Sequence, residues 1–375
     1  MKPLAATRIF APIFAGLSAT LVGIGLQRFA YAPLLPAMVR DGWLSAGHAG
    51  TLGAVNFAGY LTGAALAPAI GRLVGMRLAL RGAMLTAVLC FLLCSWRGAF
   101  LWFVPWRGIA GISGGVLMVL IGPAVQAVMP ADKRGLAAGF TFTGVGLGIV
   151  AGAVLVPAML PAGLAASWLG LAGVTAVLTL LSWRCWPDVA APPGIATPKL
   201  RGLTLRLVAA YTLGGISATP YMGWWPDFIA RGLHRGTGQG GAFWALYGAA
   251  AIAGTALTGR LVRAAGARRA FHIVMLFTVA ALVLPLVSTA TPILILATFL
   301  AGSASIPQVP LVLIRAAELA GAGAPAVWRI STIGWAAAQT ASGFFLAWLY
   351  AATGSHLPLF AVGLAAAIVA LLARP

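Results

Sequence analysis

The sequence predicts an all-α polytopic membrane protein, with twelve transmembrane helices in two six-helix pseudo-repeats. Three observations predict it. Of 375 residues, 61% are hydrophobic and only 8% charged, at a mean hydropathy of +0.99; no soluble domain of this size can bury so much apolar surface. Apolar runs long enough to cross a hydrocarbon core of about 30 Å recur along the whole chain. The basic residues between these runs fall almost entirely on one side if successive runs cross in opposite directions.

The runs, in order, are 9–37, 47–73, 79–96, 99–128, 135–160, 164–186, 203–229, 240–262, 270–289, 292–315, 326–350 and 357–373. Their internal glycines and prolines are tolerated in membrane helices. With both termini cytoplasmic, the inner side holds seventeen Lys and Arg residues: Lys2, Arg8, Arg72, Arg77, Arg81, Lys133, Arg134, Arg184, Lys199, Arg201, Arg206, Arg260, Arg263, Arg268, Arg269, Arg315 and Arg374. The outer side holds four, Arg40, Arg97, Arg231 and Arg235, and three more, Arg28, Arg107 and Arg329, lie within runs. That asymmetry sets the orientation and favours an even number of crossings.

PDVAAPPGIATPKL, residues 187–200, is the polar, proline-rich break near the middle, and it reads as a cytoplasmic linker between bundles at 1–186 and 201–375. The two halves share weak signals in a common order. GRLV recurs at 71–74 and 259–262, and Gly25, Tyr31 and Pro36 are matched by Gly215, Tyr221 and Pro226. A parallel two-half repeat of this kind points to a transporter.

A net charge of +19 would suggest nucleic acid in a soluble protein. Here the basic groups sit in short loops, where they set topology and meet anionic lipid headgroups, so no nucleic-acid partner is expected. Cys90 and Cys94 share one helix face and, with Cys185, read as packing residues rather than as a redox or metal pair. The first apolar run continues past Tyr31 and Leu35 without a small-residue cleavage pattern, so it is not expected to be a cleaved signal peptide.

GIGLQRFAYAPLLPAM in the first run, GTLGAVNFAGYLTGAAL in the second and RGIAGISGG in the fourth resemble the major facilitator superfamily, and within it the uncharacterised bacterial YbfB/YjiJ-type branch. The resemblance implies the major facilitator fold and alternating-access transport. That superfamily's loop pattern G-x-L-x-D-R-x-G-R-R is met by Gly71 and Leu73, while Gly75 stands at the acidic position; the second copy keeps Gly259, Leu261, Gly266 and Arg268, with Arg263 at the acidic position. Arg107 and Gly111 match the fourth-helix pattern R-x-x-x-G, and Gly144, Gly146, Gly148 and Gly152 resemble the glycine-rich fifth helix. With both loop acids replaced, gating is expected to rest on glycine packing at Gly71, Gly144, Gly148, Gly259 and Gly266.

Arg28 raises the sharpest question, because a charge at membrane depth costs from about 2.5 to more than 10 kcal/mol. Counted at 1.5 Å per residue, Arg28 lies roughly 28 Å along its helix, Asn56 about 13 Å and Arg107 about 12 Å from the outer ends of theirs, at similar depth. Tyr31 shares a face with Arg28, and Tyr60 lies one turn from Asn56. The five acidic residues, Asp41, Asp132, Asp188, Asp227 and Glu318, all fall in loops or near helix ends. Arg28 and Arg107 are therefore satisfied either by carbonyls, hydroxyls and water or by an anionic solute, which a planar guanidinium suits. Arg329 is near enough to its helix end to snorkel. Proton-coupled carriers use buried Asp, Glu or His, but His272 is near a helix start and His48, His234 and His356 are near outer loops, so no good proton relay stands out; Asp227 and Glu318 are the fallback candidates, each reading first as a solvated helix-end charge.

In the second half, Tyr221, Trp224, Trp225, Trp244 and Tyr247 form either an interfacial aromatic belt, as expected for Trp225, or a cavity wall, as expected for Tyr221 and Tyr247. Trp335 and Gln339 share a helix face, and Gln308 sits in SIPQVP, where Pro307 and Pro310 either break the helix and free carbonyls, as broken helices at binding sites do, or simply kink it. GVGLGIVAG has no preceding strand, so it reads as close helix packing rather than a nucleotide loop. No catalytic constellation, metal set or cofactor motif stands out, and an enzyme is not expected.

The expectation is a secondary transporter of a bacterial inner membrane, acting as a monomer on a small organic anion. Arg28 would be the clamp, with Tyr31, Asn56 and Tyr60 orienting the solute. The alternatives are an exporter of amphipathic drugs or metabolites and, in a different class, a non-transporting sensor or a polytopic enzyme.

Overall fold

A computed structural model describes residues 3–130, 133–190 and 200–374; Lys2, Asp132 and the linker stretch 191–199 with Lys199 lie outside them. The described residues form helices and no strand, as a lipid environment demands of any backbone that is not a closed barrel. Contacts divide the chain into two compact units, residues 1–45 with 55–194 and residues 46–54 with 195–375.

The first unit opens with α1 (Pro3–Thr20), which passes through π-helical turns at Leu21–Phe29 into α2 (Tyr31–Arg40). Gly23 and Gly25 ease the wider turn, and Pro33 and Pro36 withhold two N–H donors just beyond it. Then come α3 (Ala46–Val74), α4 (Met76–Cys94), α5 (Phe100–Gln126), α6 (Arg134–Met159) and α7 (Leu164–Ser182). Gly75, at the position where the superfamily pattern has aspartate, separates α3 from α4 with φ of 83°, a conformation that favours glycine.

Small residues set how closely these helices approach. Gly144, Gly148 and Gly152 lie four apart along α6; a Cβ on them would collide with Leu17 and Thr20, with Gly25, and with Ala30, respectively. The Thr20 hydroxyl bonds the Thr141 carbonyl across this contact at 2.6 Å. Between α3 and α5 the approach is equally tight: Gly59 and Gly63 face the carbonyls of Gly108 and Ile112, and Gly111 and Gly115 face those of Asn56 and Tyr60. Backbones can approach so closely only where neither helix carries a side chain, which is how membrane helices gain packing energy without a hydrophobic drive.

The second unit begins with α8 (Gly202–Thr219), continues through π-helical turns at Pro220–Trp224, a short α9 (Trp225–Asp227) and further π-helical turns at Phe228–Gly232. Next is α10 (Gly236–Val287), broken at Gly266, whose φ is 77°. α11 (Thr291–Ser305) and α12 (Gln308–Ala320) are separated at Ile306–Pro307, the break that SIPQVP allows. α13 (Ala324–Thr353) and α14 (Leu357–Leu372) complete it. Gly215 packs against the Trp335 carbonyl of α13, and Gly302 of α11 against the Tyr247 carbonyl of α10.

Among the described residues, eight helical stretches are long and apolar enough to cross a membrane, and α14 is a shorter apolar helix. Large apolar side chains such as Leu89, Leu180 and Val287 stand exposed on the helix exteriors, a surface that lipid solvates and water does not. Cys90, Cys94 and Cys185 are free thiols, the first two buried.

The α6 contact gives a direct test. A Cβ at Gly148 would lie 2.5 Å from the Gly25 Cα, whereas one at Gly139 of the same helix meets nothing. Gly148→Ala is expected to destabilise the protein by about 1–3 kcal/mol through overpacking, and Gly139→Ala to be neutral or stabilising by up to about 1 kcal/mol. Thermal unfolding in detergent reads both.

Candidate functional site

In the first unit two guanidinium groups adjoin the π-helical stretch, Arg28 within it and Arg107 bonded to it. Arg28 is half-buried. Its guanidinium carbon lies 4.6 Å from the ring centre of Phe57, 4.7 Å from that of Tyr60 and 5.5 Å from that of Phe29. These rings are buried, so the cation is presented from an aromatic seat that supplies polarisable surface without neutralising its charge.

Arg107 is only 2% exposed. Its Nη1 donates to the Gln27 carbonyl at 3.0 Å, and its guanidinium lies 4.2 Å from the Tyr31 ring centre. Its Nε has no hydrogen-bond partner among the described residues. Asn56 Nδ2 donates to the Arg107 carbonyl at 3.1 Å, and Gln27 Nε2 to the Ala87 carbonyl at 2.9 Å. The close α3–α5 crossing sets Asn56 in reach of Arg107.

Thus Arg28, Tyr31, Asn56, Tyr60 and Arg107 gather in one region, with the Asn56 and Tyr31 side chains turned to Arg107 and the Tyr60 ring to Arg28. The described acids of this unit are elsewhere: Asp41 pairs with Arg40 at 2.7 Å and Asp188 with Arg77 at 3.7 Å.

The second unit holds the remaining candidates in two groups. Tyr221 packs tilted against Trp225 at a ring separation of 4.5 Å and stacks with Tyr247 at 6.3 Å, Trp244 stacks on Tyr247 at 4.7 Å, and the Tyr221 hydroxyl donates to the Ala281 carbonyl at 2.7 Å. Trp225 corrects its expected place in an interfacial belt: it is fully buried, and its Nε1 donates to the Thr298 hydroxyl at 3.1 Å, because Pro220 and the π-helical turns direct it inward.

The other group surrounds Gly214 and Gly215. A Cβ at Gly214 would meet the Trp335 ring at 2.7 Å and Gln308 Oε1 at 2.8 Å. The Trp335 ring packs tilted against Tyr211 at 4.6 Å, Gln308 Nε2 reaches the Thr278 hydroxyl at 3.4 Å, and Gln339 Nε2 donates to Met222 Sδ at 3.2 Å. Both glutamines are buried, and neither Oε1 has a hydrogen-bond partner among the described residues. Two orphaned acceptors beside an aromatic platform can take a solute's N–H or O–H groups.

Trp224 lies apart from both groups, 4.8 Å from the Tyr350 ring. Of the glycines at which the sequence places gating, Gly144 and Gly148 are buried in helix contacts and Gly71 is buried, whereas Gly259 and Gly266 are exposed. Asp227 is not the solvated helix-end charge that its position suggests; it is fully buried and bonded to Arg231 and His356. Glu318 does face solvent, paired with Arg315 at 2.9 Å. Sequence reasoning also missed Gln27 and Phe57, although both adjoin residues it singled out.

The family model described as "Uncharacterised MFS-type transporter YbfB" matches residues 20–374. The chain belongs to this family. It is a multi-pass membrane protein of a transporter family, and the match runs through both units. A chloramphenicol resistance protein of Streptomyces lividans is 26% identical over 267 residues. That match covers 65% of this chain and 65% of the relative, slightly less than two thirds of either.

The different settings of the two arginines separate their substitutions. Arg107→Lys removes the planar stack on Tyr31 and the directed bond to Gln27, and is expected to cost about 2 kcal/mol or more. Arg28→Lys leaves a half-exposed cation over the same rings and is expected to cost less than about 1 kcal/mol. Thermal unfolding of the two variants in one detergent checks the order.

Proposed function

We propose that this family member is a twelve-helix secondary carrier that moves a small organic anion across a bacterial inner membrane by alternating access. Arg28 is the anion-binding group, and the observation that carries this reading is its half-buried guanidinium on the seat formed by Phe29, Phe57 and Tyr60. Charge at membrane depth marks a functional site by default. Arg107, fully buried and bonded to Gln27, serves to hold the π-helical stretch and to add positive potential beneath the site. Asn56 and Tyr31 act through Arg107, and Tyr60 borders the solute directly. Taken by itself, the second unit offers neutral acceptors at Gln308 and Gln339 and aromatic faces at Trp335 and at the Tyr221–Tyr247 pair.

The helix pattern supports twelve crossings. The break at Gly266 makes two spans of Gly236–Val287, while α13, α14 and the rod from α8 through Gly232 supply three beyond the eight apolar stretches. The repeat is supported by Gly25 and Gly215, each in close helix contact, and by π-helical turns at Leu21–Phe29 and Pro220–Trp224. The excess of basic residues in alternate loops supports cytoplasmic termini. The protein is read as a monomeric carrier with no cofactor, not as an enzyme.

Export of amphipathic compounds is the second reading. The chloramphenicol resistance relative favours it, as do the uncharged acceptors and aromatic rings of the second unit.

A thermal-shift comparison decides between them. Benzoate, chloramphenicol and tetraphenylphosphonium are added in turn to the native protein and to Arg28→Ala. A ligand at about 100 times its Kd stabilises the folded state by about 2.7 kcal/mol. The expected result is stabilisation of the native protein by benzoate and none of Arg28→Ala. Stabilisation by chloramphenicol alone, retained in Arg28→Ala, would replace the anion reading with the export one.

A further inference from the structure

Among the described residues, Asp227 is the one acid with a fully buried side chain; those of Asp41, Asp188 and Glu318 are 31%, 81% and 44% exposed. Its oxygens accept from Arg231 Nε at 2.5 Å, from Arg231 Nη2 at 2.6 Å and from His356 Nε2 at 2.8 Å. Arg231 Nη2 also donates to the Tyr350 hydroxyl at 3.3 Å. Asp227 and Arg231 belong to the rod that continues α8, Tyr350 to the last turn of α13, and His356 immediately precedes α14. The Asp227 carboxylate thus ties the rod to the start of α14, and Arg231 extends the cluster to the end of α13.

A fourth element is held at the same place. The Trp224 ring packs 4.8 Å from Tyr350 and 6.1 Å, edge-on, from His356. Gly50, in the α3 stretch that belongs to this unit, lies so close to the Trp224 ring that a Cβ there would collide with it, and Ala347 of α13 is the next neighbour.

The charges are balanced while His356 is neutral. Asp227 carries one negative charge and Arg231 one positive, and neutral His356 donates Nε2–H. A proton added at Nδ1 would leave the cluster with a net positive charge. The ring is closed in by Tyr350 at 4.7 Å, Phe228 at 5.5 Å and Trp224. Of the charged or titratable groups, Asp227 bonds His356 and Tyr350 packs on it, while Arg231 joins the cluster through Asp227 and Tyr350. The α3 stretch carries His48, and the first residues of α14 are apolar. A net charge in such surroundings is costly until water reaches it. The rod is suited to yield, because π-helical turns flank Asp227 and Pro226 donates no N–H.

We propose that His356, held on Asp227, is a proton-binding site whose occupation loosens this end of the second unit. It rests on the carrier reading above only in taking this as the proton site of transport. In the orientation proposed there, it opens to the outer side.

The test needs no solute. Ala347, buried beside Gly50, is replaced by cysteine in full-length protein whose three native cysteines are substituted by alanine. Its thiol-labelling rate in detergent is divided by that of Ala352→Cys, exposed at the same helix end, which removes the thiol's own pH dependence. Between about pH 8 and about pH 5.5, the range over which histidines change charge, the ratio is expected to rise several-fold. In His356→Gln, which keeps an N–H donor and takes no proton, it stays flat and low. In Asp227→Asn, which removes the tie, it is high at both pH values. A flat ratio in the parent protein, an equal rise in His356→Gln, or a low ratio at pH 8 in Asp227→Asn would overturn the proposal. Any of these leaves the anion reading standing, since that depends on the Arg28 comparison.

Discussion

A guanidinium inside a helix bundle must be given acceptors and polarisable surface, and the first unit is arranged around two such groups. Arg107 takes the Gln27 carbonyl and the Tyr31 ring. Arg28 takes three aromatic rings. Both demands converge on residues 21–31, where π-helical turns replace regular α-helix. The glycine contacts serve the same end: they bring α3 against α5 and α6 against the first rod closely enough for side chains to meet carbonyls of neighbouring helices.

The second unit meets a different electrostatic problem with similar means. Its buried charge is a carboxylate, and the solution is a cluster of Arg231, His356 and Tyr350 instead of an aromatic seat alone. Here too π-helical turns flank the charge, and here too glycine permits close approach, at Gly215, Gly302 and Gly50. The arginines and the carboxylate therefore lie in separate units.

The helices were readable from hydropathy because lipid imposes a length and a composition on every crossing. The Gly266 and Ile306–Pro307 breaks were readable too, since glycine and proline act on the backbone of their own helix. Comparing depth along antiparallel helices put Arg28, Asn56 and Arg107 at one level, and Asn56 is bonded to the Arg107 carbonyl. The burial of Asp227 and Trp225 was not readable. Asp227 sits near a helix end, and its partner His356 is 129 residues away. Trp225 has the position of a belt residue, and only the turn of the π-helical rod directs it to Thr298. The π-helical turns themselves leave no periodic mark in so uniformly apolar a segment. Gln27 was overlooked because its role runs through its backbone carbonyl as well as its amide.

The central claim is that the Arg28 guanidinium, on its seat of Phe29, Phe57 and Tyr60, binds the transported solute. Counterflow of radiolabelled benzoate into proteoliposomes preloaded with unlabelled benzoate tests it most directly, with native protein, Arg28→Lys and Arg28→Ala at equal density. The account predicts exchange by the native protein, reduced exchange by Arg28→Lys, which keeps the charge but not the fork, and loss of at least about tenfold in Arg28→Ala, the factor that 1.4 kcal/mol of binding energy represents. Exchange by Arg28→Ala at the native rate, or no exchange by the native protein, would contradict it.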